Sequence, residues 1–490
     1  MSRVDVEVVG SGPNGLAAAV TLARSGLKVR VREAHSSIGG GMRTSELTQP
    51  GFSHDDCSAV HPQALVSPFF TAFELSKRVR FITPEVSYAH PIDRGRTGLA
   101  YRELALTAES LGADGKRWRS LFEPLLKDPV SLERLTMAQI GTVPIRPATA
   151  FRLATRAMEQ GSPLRNLRFA DDVAPAMLSG ASAHIGTPQS LAGAAAGLAL
   201  ATTAHGGGWP IVSGGSQRIA DALVSDLLAH GGIVETDSIV HSLDELEGTV
   251  SILNLSPPNF ARLASARLPT AYLRMLSRFR FGPAACKVDY ALSEAVPWSD
   301  PRVREAATVH LGGTRPEIEA AERLVRQGRH SGRPFVIASQ PTIFDPSRAP
   351  AGKHILWAYC HVPNGSDVDV SEAITAQIER YAPGFRDTIL STSVRTGAQM
   401  AAHNPNYVGG DILAGAVDVR QLAFRPRVSL TPWSTPLPGV YLASASTSPG
   451  PAVHGMAGYS AARLALHRDF GMRELPDLSV ARHLRSSPTP

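Results

Sequence analysis

Residues 4–44 read VDVEVVGSGPNGLAAAVTLARSGLKVRVREAHSSIGGGMRT. Val4, Val6, Val8 and Val9 lead into three glycines, Gly10, Gly12 and Gly15, in a G-x-G-x-x-G spacing. The β-branched run predicts a buried strand. Beyond the glycines, Leu16, Ala19, Val20 and Ala23 share one helical face, and Gly26 supplies a stop. LKVRVREA predicts a second strand ending in Glu33, 18 residues after Gly15. Strand, glycine turn, helix, strand and acid in that order are what a dinucleotide site requires. Gly10 permits the tight turn, Gly12 lets the backbone approach a pyrophosphate, and Gly15 lets helix and strand pack closely. Pro13 and Asn14 open the helix, whose N-terminus offers free N–H groups to phosphate. Glu33, followed by Ala34, is placed to accept hydrogen bonds from a ribose diol, and its charge opposes a 2′-phosphate.

The next twelve residues choose between dinucleotides. After Glu33 the chain enters a glycine run, Gly39, Gly40 and Gly41, followed by Met42 and Arg43, where a simple NAD fold leads into another helix. This resembles the E-x(5)-GG-x-x-R-T extension of flavoproteins in the amine oxidase and phytoene desaturase superfamily. Near the other end, residues 439–467 read GVYLASASTSPGPAVHGMAGYSAARLALH, a short strand, a turn and a glycine-rich helix start. Thr447, Pro449, Gly450, Gly455, Met456, Gly458 and Tyr459 match the C-terminal pattern of the phytoene desaturase-like group, T-x-P-G-G-G-x-x-G-M-x-G-Y. Pro451 and Ala452 depart from it, standing where that pattern has glycines. Residues 50–70, 207–223, 287–298 and 403–411 resemble a subgroup described as pyridine nucleotide-disulfide oxidoreductase domain-containing proteins, and the resemblance spans nearly the whole chain.

The resemblance implies FAD. It puts Gly40, Gly41, Met42 and Arg43 at the pyrophosphate and ribityl region, Val240 beside the adenine, and Ser446, Gly455 and Met456 at the flavin, whose reduced form carries charge that a helix N-terminus stabilises. The expected fold is α/β: a discontinuous Rossmann-type FAD-binding domain from residues 1–75, 206–265 and 403–470, with an inserted α+β substrate domain from 76–205 and 266–402. Residues 471–490, polar and rich in Pro and Ser, are expected to form a loose tail.

Composition narrows the alternatives. A chain of 490 residues with 43% hydrophobic content can build large cores. Its longest small-residue apolar run, SLAGAAAGLALATTA (190–204), is too short to span a bilayer and predicts a buried helix. Cys57, Cys286 and Cys360 are far apart in sequence, with no C-x-x-C, which argues against a dithiol flavin reductase and for a reducing compartment. A net charge of +6 is modest for this size, and neither a motif nor an aromatic platform points to nucleic acid. No His/Cys cluster has metal-ligand spacing. The expected location is cytoplasmic, with peripheral contact at the inner membrane surface left open.

For chemistry, the sequence offers Asp56 and His61 in HDDCSAVH (54–61), and His454 at the helix start. Each is a candidate base, and Asp56 is equally a structural cap. No second G-x-G-x-x-G followed by a helix is present, so electrons are expected to leave reduced flavin for dioxygen, a quinone or another carrier. The leading expectation is an FAD-dependent dehydrogenase or desaturase that passes hydride from an apolar, lipid- or polyene-like substrate to flavin N5. An amine oxidase-type enzyme and a non-catalytic flavin-binding interaction protein are the alternatives. The substrate and the oligomeric state are not legible in the sequence.

Overall fold

A computed structural model describes residues 4–93, 95–137 and 146–480. Its first sheet is wholly parallel. In spatial order its strands are Val440–Leu442, Val250–Leu253, Val6–Val9, Val29–Arg32 and Ile233–Glu235. A parallel sheet is covered on both faces, which is why Val6, Val8, Ile252 and Val31 are wholly buried. Glu7 sits among them, almost fully buried, with its carboxylate 3.0 Å from the Arg30 guanidinium.

Helix Pro13–Arg24 packs on this sheet beside helices Gln217–Ala229 and Met456–Asp469. Its alanines are the reason it lies so close: Ala17, Ala18 and Ala19 are fully buried and present little bulk. The helix ends at Arg24, and Gly26 follows at φ +86°, a left-handed position that favours glycine.

The second sheet has seven strands. In spatial order they are Ile389–Arg395, Ala284–Leu292, His354–Val362, Val336–Ser339, Ala306–Leu311, Val86–Pro91 and Thr97–Tyr101. All its pairings are antiparallel except that of Ala306–Leu311 with Val86–Pro91. One face packs on helix Ser371–Tyr381 through Val288, Leu356 and Ile374. Folding sets Cys286 opposite Cys360 on neighbouring strands, both as free thiols. A short pair, Phe81–Ile82 with Ile211–Val212, ties the two regions together.

Residues 190–204 do form a buried helix, Leu191–Ala204, packed on Val173–Ala183. Gly197 permits that approach, because a Cβ there would collide with Ser182. Among the described residues no helix is long and apolar enough to cross a membrane. Residues 471–480 are not a loose tail. Leu478 is buried in the first core, Arg24 donates to the carbonyls of Asp477 and Ser479, and the Val480 N–H donates to Glu74. Residues 481–490 lie outside the described residues.

Candidate active site

A cavity of 1040 Å³ extends from the first glycine turn to the face of the second sheet. It opens at the C-terminal ends of the parallel strands, where open α/β sheets bind ligands. Gly10, Gly12, Pro13, Asn14, Glu33, Ala34, Gly40, Gly41, Arg43, Val240 and Ser446 all line it.

The glycine turn owes its shape to close contacts. Gly10 has φ +94°, and a Cβ on Gly15 would collide with the Gly10 carbonyl oxygen. Gly15 therefore serves packing and does not line the cavity. Gly12 is the N-cap of helix Pro13–Arg24 and supplies no side-chain cap. The first-turn N–H groups consequently remain available to an anion. Asn14 is buried beside them, and its Oδ1 has no hydrogen-bond partner. A Cβ on Gly40 would come within 2.9 Å of the Gly12 Cα, so the second glycine turn rests directly on the first.

Glu33 closes the dinucleotide end. One carboxylate oxygen accepts from the Ser11 N–H at 2.8 Å and the Ser11 hydroxyl at 2.6 Å. The other accepts from the His35 N–H at 2.9 Å and from Arg43 at 3.2 Å. Arg43 also donates to the Ser37 carbonyl. It thus orients the acid as well as lining the cavity. Asn254, just beyond strand Val250–Leu253, reaches under the turn and would be 2.8 Å from a Cβ on Gly12. The free N–H groups of the helix terminus fit an FAD pyrophosphate, and the Asn14 oxygen and the Glu33 carboxylate, both acceptors, fit hydroxyl groups of the same cofactor.

Several candidates lie elsewhere. Met42 is fully buried in the first core and does not line the cavity, because the short helix Gly40–Met42 turns its side chain inward. Gly455 and Met456 also lie behind the wall. A Cβ on Gly455 would press on Phe69 and Ala17, and the Met456 N–H is spent on His454 Nδ1 at 3.0 Å. Pro449, Pro451, Ala452 and Val453 line the cavity there instead. Val240 lines it from the loop that follows strand Ile233–Glu235.

The three candidate bases separate clearly. His454 is buried and does not line the cavity. Its Nδ1 caps Met456, a backbone hydrogen bond to Gly450 holds its ring, and burial pushes it down to about 4. Asp56 is buried outside the cavity, with Oδ2 3.3 Å from His403 and 3.9 Å from Arg395. Burial pushes its carboxyl up, but the His403 hydrogen bond and the Arg395 and Lys287 charges more than offset this and hold it below the usual range. It is an anion held off the cavity wall, with its second oxygen, Oδ1, buried without a partner. His61 does line the cavity. Its Nε2 lies 2.8 Å from Ser216 Oγ, and that hydroxyl donates to the Ser58 carbonyl. The serine proton is committed, so Nε2–H donates and Nδ1 keeps its lone pair. That Nδ1 is buried without a partner, and burial lowers the imidazole to about 4, so it is neutral at pH 7.

Sequence reasoning missed much of the opposite wall: His184, Trp209, Thr308, Ser339, Trp357 and Tyr359. They come from five separate stretches, and only Trp209, within 207–223, falls in a segment that the sequence singles out. The alternation along HILWAYCHV, which sends Trp357 and Tyr359 to one face, was the available signal. His184 Nε2 pairs with His310 Nε2 at 2.9 Å, and burial brings His184 down to about 3. Among the described residues no cluster of His, Cys, Asp and Glu could hold a metal.

Comparison with known proteins agrees with this geometry. Residues 14–466 match the family described as flavin containing amine oxidoreductase. The chain is 25% identical to the rat (Rattus norvegicus) pyridine nucleotide-disulfide oxidoreductase domain-containing protein 2, covering 94% of this chain and 93% of that one. A 4,4′-diapolycopen-4-al dehydrogenase of Metabacillus indicus is 32% identical over 124 residues, 24% of each chain. Among solved structures, a putrescine oxidase triple mutant superposes with a TM-score of 0.62 at 17% identity, over 96% of this chain and 99% of that one.

Proposed function

Because the chain belongs to the flavin-containing amine oxidoreductase family and is an FAD-dependent oxidoreductase, we propose that it dehydrogenates an uncharged, largely apolar substrate in the wide part of its cavity. The observation that carries this reading is the distribution of charge. The lining residues Arg32, Glu33, Arg43 and Arg262 all belong to the first sheet or the segments that follow its strands. The wall built from helix Leu191–Ala204 and the second sheet contributes Ala195, Ala199, Leu200, Ile337, Trp357 and Tyr359, and no Asp, Glu, Lys or Arg. An ionic group carried there would lose its hydration without a counter-charge. An apolar chain would gain roughly 25 cal/mol for each Å² it buries. The partial likeness to a diapolycopenal dehydrogenase supports an elongated substrate of this kind.

FAD, when bound, supplies the hydride acceptor. The chain's own part is to hold the substrate, exclude water and take up a proton. When hydride leaves a substrate C–H bond, a proton must leave the adjoining O–H or C–H bond, and in this reading His61 Nδ1, whose lone pair has no partner in the protein, accepts it. The electron acceptor in this reading is dioxygen, a quinone or another carrier, and residence is cytoplasmic or at a membrane surface.

A second reading, an amine oxidase taking the neutral free base, draws on Trp209, Trp357, Tyr359 and Tyr407, which line the cavity despite the low overall aromatic content. The discriminating experiment is anaerobic mixing of the FAD-loaded protein with matched long-chain substrates. Bleaching by a polyene or lipid alcohol but not by the corresponding amines supports the first reading. Bleaching by amines alone overturns it.

A further inference from the structure

The second sheet carries a transverse row of residues that register sets side by side. Tyr88 pairs with Thr308, Thr308 with Ser339, Ser339 with Trp357, and Trp357 with Asp289. Residues opposite one another on adjacent strands point to the same face. All five have a buried polar atom without a hydrogen-bond partner: Tyr88 Oη, Thr308 Oγ1, Ser339 Oγ, Trp357 Nε1 and Asp289 Oδ1. The three in the middle, Thr308, Ser339 and Trp357, line the wide part of the cavity. Buried polar groups are nearly always paired, because an unpaired one forfeits its hydration. Tyr88 and Asp289, at the two ends, lie off the cavity, and Asp289 Oδ1 is 3.5 Å from His54 Nδ1, so Thr308, Ser339 and Trp357 on the cavity wall are the groups that await a partner.

We propose that Thr308, Ser339 and Trp357 form a subsite for an uncharged oxygen, a hydroxyl or a carbonyl, borne by the otherwise apolar substrate. This rests on the reading of the cavity as the substrate site. Donor and acceptor arithmetic selects the ligand. The indole N–H only donates, while the two hydroxyls donate or accept, so the ligand must bring an acceptor. An ammonium group has none and leaves the indole unsatisfied. A carboxylate needs a counter-charge, and Lys287, the cation beside Trp357, is already paired with Asp289. A hydroxyl or carbonyl oxygen meets every requirement without introducing charge. Ordered water is the competing occupant, and it would give a substrate oxygen no advantage.

The test uses the FAD-loaded full chain and follows the flavin spectrum during titration with decane, decanol, decylammonium and decanoate. Decanol is expected to bind at least about tenfold more tightly than each of the others. Thr308→Val and Ser339→Ala are each expected to erode that advantage over decane while leaving FAD stoichiometry intact. Neither variant is expected to lower the melting temperature, because each removes a hydroxyl that has no partner in the protein. Equal binding of decanol and decane, or an advantage that survives both substitutions, overturns the subsite. A marked loss of stability in both variants also overturns it, since the hydroxyls would then be structural. If no compound perturbs the flavin or binds, the cavity is not the substrate site, and the underlying reading fails with the proposal.

Discussion

Gly458 packs so closely on Asn14 that a Cβ added to it would collide with the Asn14 carbonyl oxygen. The contact joins the C-terminal helix to the first turn of the dinucleotide helix, across almost the whole length of the chain. Gly458→Ala must push these helices apart at the point where Asn14 faces the cavity. The expected outcome is a loss of both stability and retained FAD, with an overpacking cost of about 1–3 kcal/mol. Gly332→Ala is the control, with nothing within 4 Å of its added Cβ. Thermal melting and the flavin-to-protein absorbance ratio of the two variants check this.

Gly12→Val should abolish FAD retention while leaving a folded chain. A side chain there enters the cavity beside the free helix terminus and meets the flexible end of Asn254. Glu33→Gln should weaken retention less, on the order of tenfold, because the amide keeps one acceptor oxygen for Ser11 and loses the charge facing Arg43. Dialysis followed by release and quantification of bound FAD ranks the two. Stoichiometric FAD in Gly12→Val would remove the glycine turn from the cofactor site.

His61 and His454 should respond differently to substitution. His454→Ala removes the cap on the Met456 N–H and should cost roughly 1–3 kcal/mol of stability. Its flavin-reduction rate per bound FAD should match that of the parent protein. His61→Phe should bind FAD and fold, yet slow flavin reduction by the substrate by about 10²–10⁴-fold. Rapid anaerobic mixing separates the outcomes, and an unchanged rate in His61→Phe would remove it as the proton acceptor.

Acid should unfold this protein through its buried histidines. Burial lowers His61, His90, His205 and His454 to about 4 and His184 to about 3. In the unfolded chain each titrates near pH 6.5. Above that value both states are neutral and the folded protein loses nothing. Between pH 6.5 and about 4 the unfolded chain binds more protons, so stability falls as pH falls. The slope contribution is up to about 1.4 kcal/mol per pH unit for each histidine. Urea midpoints measured from pH 8 to pH 5 should decline steeply below 6.5, and a flat profile would mean that the rings are solvated.

Leu478→Ala tests the docked C-terminal segment. Leu478 is 2% exposed in the first core. Its truncation should cost about 2 kcal/mol while leaving the FAD content unchanged. A variant as stable as the parent would mean that residues 471–480 do not pack.

The sequence by itself determined the dinucleotide end. Gly10, Gly12, Gly15 and Glu33 are separated by fixed numbers of residues within one strand–helix–strand unit, so local geometry carries them to their places. The charge of Glu33 and the missing side chains of the glycines mean the same wherever that unit sits. Only the tertiary structure decided between neighbours in the C-terminal loop. There a one-residue change of direction turns Val453 toward the cavity and buries His454 and Met456 behind it. The far wall of the cavity was decided entirely at that level. Thr308, Ser339 and Trp357 come from three strands, and no spacing in the chain records their alignment. Antiparallel register sets them in one row, and burial makes their unpartnered polar atoms significant.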